Sequence, residues 1–137
     1  MELTRHQIRE IAFQTLFALN TNDQTDWKDF FQVLTSGKYG DDYPEYLHQL
    51  FSGVLEHKAE IDHTIEKYLA ASWSLGRIAR TDLIILEIAI YEMVYVDDMP
   101  AKVSINEAIE LAKKFSDDRS RKFVNGILSH ALEKLVK

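Results

Sequence analysis

Apolar and polar positions divide the chain into a succession of helices. The densest apolar run, Leu83 to Val96, is interrupted by charge only at Glu87 and Glu92. At helical spacing its other side chains point all round the axis, so other helices or lipid must wrap it. It is too short for lipid, since a span needs about 18 or more apolar residues. The pattern therefore predicts a buried central helix over about 82–96, with Thr81 or Asp82 capping its start. Asp97-Asp98-Met99-Pro100 stops it, because the proline disfavours helix at Met99. The β-branched content would also suit a buried strand, but the length favours a helix.

Before this rod the pattern gives three helices. The first runs from Thr4 to about Leu19, with Ile8, Ile11, Ala12, Leu16 and Leu19 as its stripe and Thr4 with Gln7 as a capping box. A short second helix, Trp27 to Leu34, ends near Ser36-Gly37. Residues 37–43 form a loop, and Pro44 is placed to open a third helix reaching about Ala71. Lys58 falls in the middle of that helix's apolar face, so either it snorkels or the helix breaks near it. Ser72 to Arg80 is a junction with a short helix around Leu75–Ala79, where Trp73 is most simply a packing plug.

After Pro100, Ser104-Ile-Asn-Glu107 is a second capping box, opening a helix to Phe115 that turns Ile105, Ala108, Ile109, Ala112 and Phe115 inward. Glu110 and Lys114 form an outer i,i+4 pair. A turn at 116–119 leads to a last helix capped by Ser120 and packed through Val124, Ile127, Leu128, Ala131 and Leu135. The fold class expected is all-α, about seven helices in two packed three-helix-type bundles around the central rod. The N-terminal helical part covers about 1–72 and the C-terminal part about 73–137.

Composition narrows the function. The 137 residues suffice for one domain with a sizeable core, and only 2 prolines and 5 glycines favour helices. With 0 cysteines there is no thiol chemistry. The opening Met-Glu-Leu-Thr-Arg-His lacks a signal-peptide pattern, which points to the cytoplasm. A net charge of −6 argues against strong non-specific nucleic-acid binding and suits a basic partner. Two Glu-x-x-His pairs, Glu45/His48 and Glu60/His63, resemble metal motifs. On one continuous helix they stand about 22 Å apart and cannot share a cluster. No cofactor or metal site is expected. There is no phosphate loop, no Ser/His/Asp constellation and no outstanding carboxylate pair.

Two helix beginnings are unusual. Arg5, His6 and Arg9 crowd the start of the first helix, where cations oppose the dipole. His6, Phe13 and Phe17 lie near one line of that helix. Cations followed by rings suit single-stranded RNA, although Phe13 and Phe17 as core and the arginines as solvated residues would serve equally. Arg121 and Lys122 repeat the pattern at the last helix, with Phe123 on the edge of its stripe. Gly126 inside that helix implies a close neighbour, either another helix or an RNA backbone.

These residues carry a family resemblance. Pro100 to Leu128 reads P-A-K-V-S-I-N-E-A-I-E-L-A-K-K-F-S-D-D-R-S-R-K-F-V-N-G-I-L. It resembles the V-x-INEA-[VI]-ELAK and S-x-KFVNG-[VI]-L hallmarks of the transcription antitermination factor NusB family. Residues 9–17 are similar to the family's R-E-x-A-x-Q-x-L-[YF], and residues 84–92 to its I-L-R-x-A-x-Y-E. The resemblance implies two small helical bundles and no enzyme. It implies pairing with the ribosomal protein NusE, binding of the boxA element of nascent ribosomal RNA, and work with NusA, NusG and RNA polymerase against premature termination. It also implies a role in ribosomal RNA maturation, no membrane, and either a monomer or a homodimer. The RNA-binding residues carried over are Arg5, His6, Arg9 and Phe17 at the first start, and Ser120, Lys122, Phe123 and Asn125 at the second. The two beginnings are expected to offer charge and rings to one RNA strand. The same helical domain occurs ahead of ribosomal RNA cytosine methyltransferases, but this chain has no cysteine nucleophile. The alternative is a helical protein-interaction module with little RNA binding of its own. Three positions depart from the family pattern: His6 and Gln7 stand where many members have arginines, Glu87 where arginine is common, and Arg119 where acids are common. Glu92 and its neighbours are candidates for facing NusE.

Overall fold

The first helix, α1 (Arg5–Thr21), starts where Thr4 predicts. The Gln7 N–H donates to Thr4 Oγ1 at 3.1 Å and the Thr4 N–H donates to Gln7 Oε1 at 2.8 Å, so the capping box is closed in both directions. The structure is a computed structural model that describes residues 3–70 and 74–134. Six helices follow: α2 (Trp27–Leu34), α3 (Glu45–Glu56), α4 (Lys58–Lys67), α5 (Arg80–Tyr95), α6 (Ala101–Phe115) and α7 (Asp118–Lys134), with a 3₁₀ turn at Leu75–Arg77. The described residues are thus all-helical in their regular structure, as the periodicity predicts. The expected roles of Trp73 and Leu135 lie outside the described residues, and α4 ends at Lys67, about one turn short of the expected Ala71.

The chain divides into two compact units, Met1–Gly53 and Val54–Lys137. The division falls inside α3 rather than near residue 72, where the sequence pattern suggests it. In the first unit α1 packs on α2, and Ile8, Ile11, Ala12, Phe13, Leu16, Phe31, Leu47 and Leu50 are buried. Asp26 caps α2 by accepting from the Lys28 and Asp29 N–H groups. Trp27 meets Tyr43 and Phe51 with ring centroids 5.0 Å apart in each pair, which closes the loop over α2 and α3. Ser36, Gly37 and Gly40 take positive φ in that loop, and the Gln32 side chain donates to the Gly40 carbonyl across it.

In the second unit α5 packs against α4, α6 and α7. Every residue from Ile84 to Met93 is buried, so the rod is enclosed by helices as its all-round apolarity requires. The helix starts differ from the sequence reading. α5 begins at Arg80, after Ala79 at φ −56° and ψ 138°, with no side-chain cap; Asp82 lies inside the helix. α6 begins right after Pro100, which places Ser104 inside the first turns, 1% exposed. α7 begins at Asp118 and is capped by Asp117, whose Oδ1 accepts the Ser120 N–H at 2.8 Å. Ser120 is therefore not the cap. Glu110 lies 3.6 Å from Lys113 rather than pairing with Lys114.

The long third helix is two helices, with the break at His57, beside Lys58. The His57 ring stacks on Tyr95 at 4.1 Å and 17°, and Tyr95 stacks on Tyr91 at 5.4 Å and 23°. The Tyr95 hydroxyl donates to Glu60 Oε2 at 2.9 Å. The two Glu-x-x-His pairs thus sit on separate helices, so single-helix spacing does not describe them. His48 packs edge-on against Phe51, and no three His, Asp or Glu side chains converge to hold a metal ion among the described residues.

Candidate nucleic-acid interface

Each unit presents one of the two cationic helix starts. At the start of α1, Arg5 and His6 are exposed, and Phe17 is 38% exposed one face along. The Arg5 guanidinium lies 3.8 Å from the centroid of the Tyr46 ring, a cation–π contact that offsets its position at the positive end of a helix. His6 Nε2 lies 3.1 Å from Glu10 Oε2. Phe13 is buried beside Phe17, ring centroids 6.2 Å apart, so the core role falls to Phe13 and the exposed ring is Phe17. Arg9 is 3% exposed. Gln7 uses its side chain in the cap, so the residue that thins the cationic patch also secures the helix start.

At the start of α7, Lys122 and Asn125 are exposed and Phe123 is half-buried. Asn125 Oδ1 accepts from the Ser129 hydroxyl at 3.2 Å. Lys122 makes no ion pair among the described residues, whereas Arg121 lies 3.2 Å from Asp118. Ser120 is 8% exposed. Its hydroxyl accepts from Ser116 at 2.7 Å and donates to Asp82 Oδ2 at 3.0 Å, tying the end of α6 and the start of α7 to α5. Burial holds the Asp82 carboxyl above its ordinary range, with the charge of Asp117 adding and the Ser120 hydrogen bond opposing. Asp117 is held low, first by the Ser120 backbone N–H it accepts.

A cleft of about 330 Å³ opens here, lined by Arg77, Ile78, Asp82, Arg119, Ser120 and Phe123 among others. It combines two guanidinium-bearing residues, an aromatic wall and a buried polar floor. Arg77 is the residue that sequence reasoning missed. Its signal was the Arg-Ile-Ala-Arg run before the central helix, which reads as a mere junction. Gly126 is exposed, and a Cβ built there would meet nothing within 4 Å. A tight helix crossing therefore does not explain it among the described residues. Glu92 is 0% exposed, so it is a core residue and not a partner-facing one.

The NusB family model matches residues 6–133. The chain belongs to the NusB family. It is 55% identical over 135 residues to the transcription antitermination protein NusB of Lactiplantibacillus plantarum, covering 97% of both chains. It is 54% identical over 140 residues to the NusB of Levilactobacillus brevis, covering 97% of this chain and 95% of the relative. Among solved structures, T. maritima NusB is 32% identical with a TM-score of 0.84, covering 98% of this chain and 94% of that one. A chain from the crystal structure of antitermination factors NusB and NusE in complex with dsRNA shares the fold at 24% identity and a TM-score of 0.78, covering 96% of this chain and 99% of that one.

Within the family pattern, the departures acquire physical content. Glu87, where arginine is common, is 3% exposed and pairs with Lys58 Nζ at 2.8 Å. Arg119 is exposed on the rim of the cleft. No helix among the described residues is long and apolar enough to cross a membrane.

Proposed function

We propose that this protein is a non-catalytic, cytoplasmic transcription antitermination factor that binds boxA of nascent ribosomal RNA together with the ribosomal protein NusE. In this reading the pair works with NusA, NusG and RNA polymerase to keep ribosomal RNA transcription processive and to assist its maturation. The observation that carries it is the family match across residues 6–133. The exposed cations and rings at the starts of α1 and α7 support it, since RNA strands are held by cations on phosphate and rings under bases.

Arg5, His6 and Lys122 meet phosphate, Phe17 and Phe123 stack on bases, and Asn125 hydrogen-bonds a base or ribose. Arg77 and Arg119 extend the phosphate track along the cleft. Ser120, buried and committed to Asp82, acts by positioning the start of α7. Arg9, also buried, enters as a support of α1. The acidic chain has modest RNA affinity alone, and the basic partner supplies the rest.

The test is a titration of boxA-type RNA against the protein alone and with NusE, at several salt concentrations. Lys122→Ala and Arg5→Ala each weaken binding and lower the salt slope by about 0.7, one phosphate contact on a single strand. Phe123→Ala loses about 1–3 kcal/mol, one stacked base. Helical circular dichroism stays unchanged. Unaltered binding in both cation variants would refute the site assignment. A second reading, a protein-interaction module with little RNA binding, draws on the burial of Arg9 and on His6 and Gln7 replacing arginines. It requires that the NusE complex bind RNA no better than NusE alone.

A further inference from the structure

Glu87 stands in the middle of α5, where an isolated carboxylate would bear the full cost of losing its water. Its Oε2 lies 2.8 Å from Lys58 Nζ, and the same ammonium lies 2.9 Å from Asp62 Oδ2. Lys58 is the first residue of α4 and Asp62 follows one turn later, so both partners come from one short helix. One ammonium thus gathers both carboxyl groups. Among the described residues, α6 and α7 bring no charged or titratable side chain to bear on Glu87; Asp62 and Lys58 are the groups that act on it. Asp62 is itself mostly shielded, its side chain 18% exposed, and its Oδ1 is buried with no hydrogen-bond partner among the described residues. Two carboxyl groups gathered over one ammonium cannot both ionise cheaply out of water.

We propose that Lys58, Asp62 and Glu87 form a proton-operated latch, in which a proton on the Glu87 carboxyl fastens α4 to α5 and its release loosens α4. Burial first, and then the contact with Asp62, raise Glu87 far above the carboxylate range, to about 8, against the lowering by Lys58. Burial works against the charge of Lys58, but its hydrogen bonds to Glu87 and Asp62 outweigh it and leave its pKa raised. The lysine therefore stays an ammonium throughout, and the proton that moves belongs to Glu87.

The direction follows from linkage. In the unfolded chain a glutamate loses its proton near pH 4.3 or so. Between about that pH and the folded value the native state binds the extra proton, and the folding constant falls by up to about tenfold per pH unit as pH rises. The stabilisation is whole in acid and is lost as pH climbs through the folded value. An arginine at this position could hold no carboxyl proton, so the latch depends on the glutamate that stands here.

The test is urea unfolding across about pH 5 to about pH 9, the window that linkage sets, on the wild type and Glu87→Gln. A carboxamide imitates the protonated carboxyl. The wild type should lose stability progressively as pH rises from about 5 and level off above the folded value of about 8, with protection of α4 amides from hydrogen exchange falling first. Glu87→Gln should give a nearly flat profile. If the variant does not fold, infrared spectra of the wild type still decide. A protonated-carboxyl C=O band present at neutral pH and gone in alkali supports the latch, and its absence at neutral pH overturns it. Equal pH profiles for the two proteins, or a flat wild-type profile, overturn it as well.

Discussion

The Ser120 hydroxyl joins three helices with two hydrogen bonds, accepting from Ser116 and donating to Asp82. Asp82 is 6% exposed and its other oxygen, Oδ1, has no hydrogen-bond partner. Ser120→Ala therefore leaves a buried carboxylate without a donor, a loss of about 1–3 kcal/mol. Urea unfolding at neutral pH should show it. The deficit should shrink as the solution is acidified, because the folded Asp82 pKa is already raised and a neutral carboxyl is cheaper to bury. Lys122→Ala is the contrasting case. The side chain is exposed, and its removal should shift stability by no more than about 0.5 kcal/mol while weakening RNA binding. A hallmark motif thus mixes a buried residue that joins helices with an exposed one, Lys122, that is free to meet a partner.

At the scale of elements, the sequence made the helices and their inner faces plain, and misplaced three of their starts. α1 and α2 begin where Thr4 and Asp26 put them because each has one good cap candidate. α5, α6 and α7 each begin about one turn or less before the expected position. Near two of these starts the chain carries a second signal, Pro100 for α6 and Asp117 for α7. An earlier start adds backbone hydrogen bonds at little nucleation cost, so the earlier signal wins and the later polar residue is carried inside the helix. Ser104 shows the result, a buried hydroxyl with no hydrogen-bond partner among the described residues. The break at His57 was legible only as one of two alternatives for Lys58, because the ion pair that holds Lys58 reaches 29 residues along the chain to Glu87. The cleft beside Phe123 was not legible at all, since Arg77 and Arg119 meet only through tertiary packing. Gly126 yields a prediction here. With space above it, Gly126→Ala should stabilise α7 by about 1 kcal/mol, seen as a higher thermal midpoint. The same methyl group should weaken RNA binding if the strand approaches this backbone as proposed; a gain in stability with no loss of affinity would remove Gly126 from the contact surface.

The whole molecule carries 22 acidic and 16 basic side chains, giving a net charge of −6. The long-range field of such a chain repels a polyanion such as RNA. Association with RNA should accordingly be slow at low salt for the chain alone and faster once a basic partner is bound, which stopped-flow mixing with labelled RNA can measure. The aromatic column of His57, Tyr95 and Tyr91 has a further use. Two tyrosine chromophores held at a fixed tilt, with an imidazole laid over the outer one, absorb circularly polarised near-ultraviolet light unequally. Because the His57 ring and the Glu60 carboxylate reach the outer tyrosine from the start of α4, that optical activity should change when this helix start lifts away, so the molecule signals the seating of one helix through its own chromophores, with no dye attached.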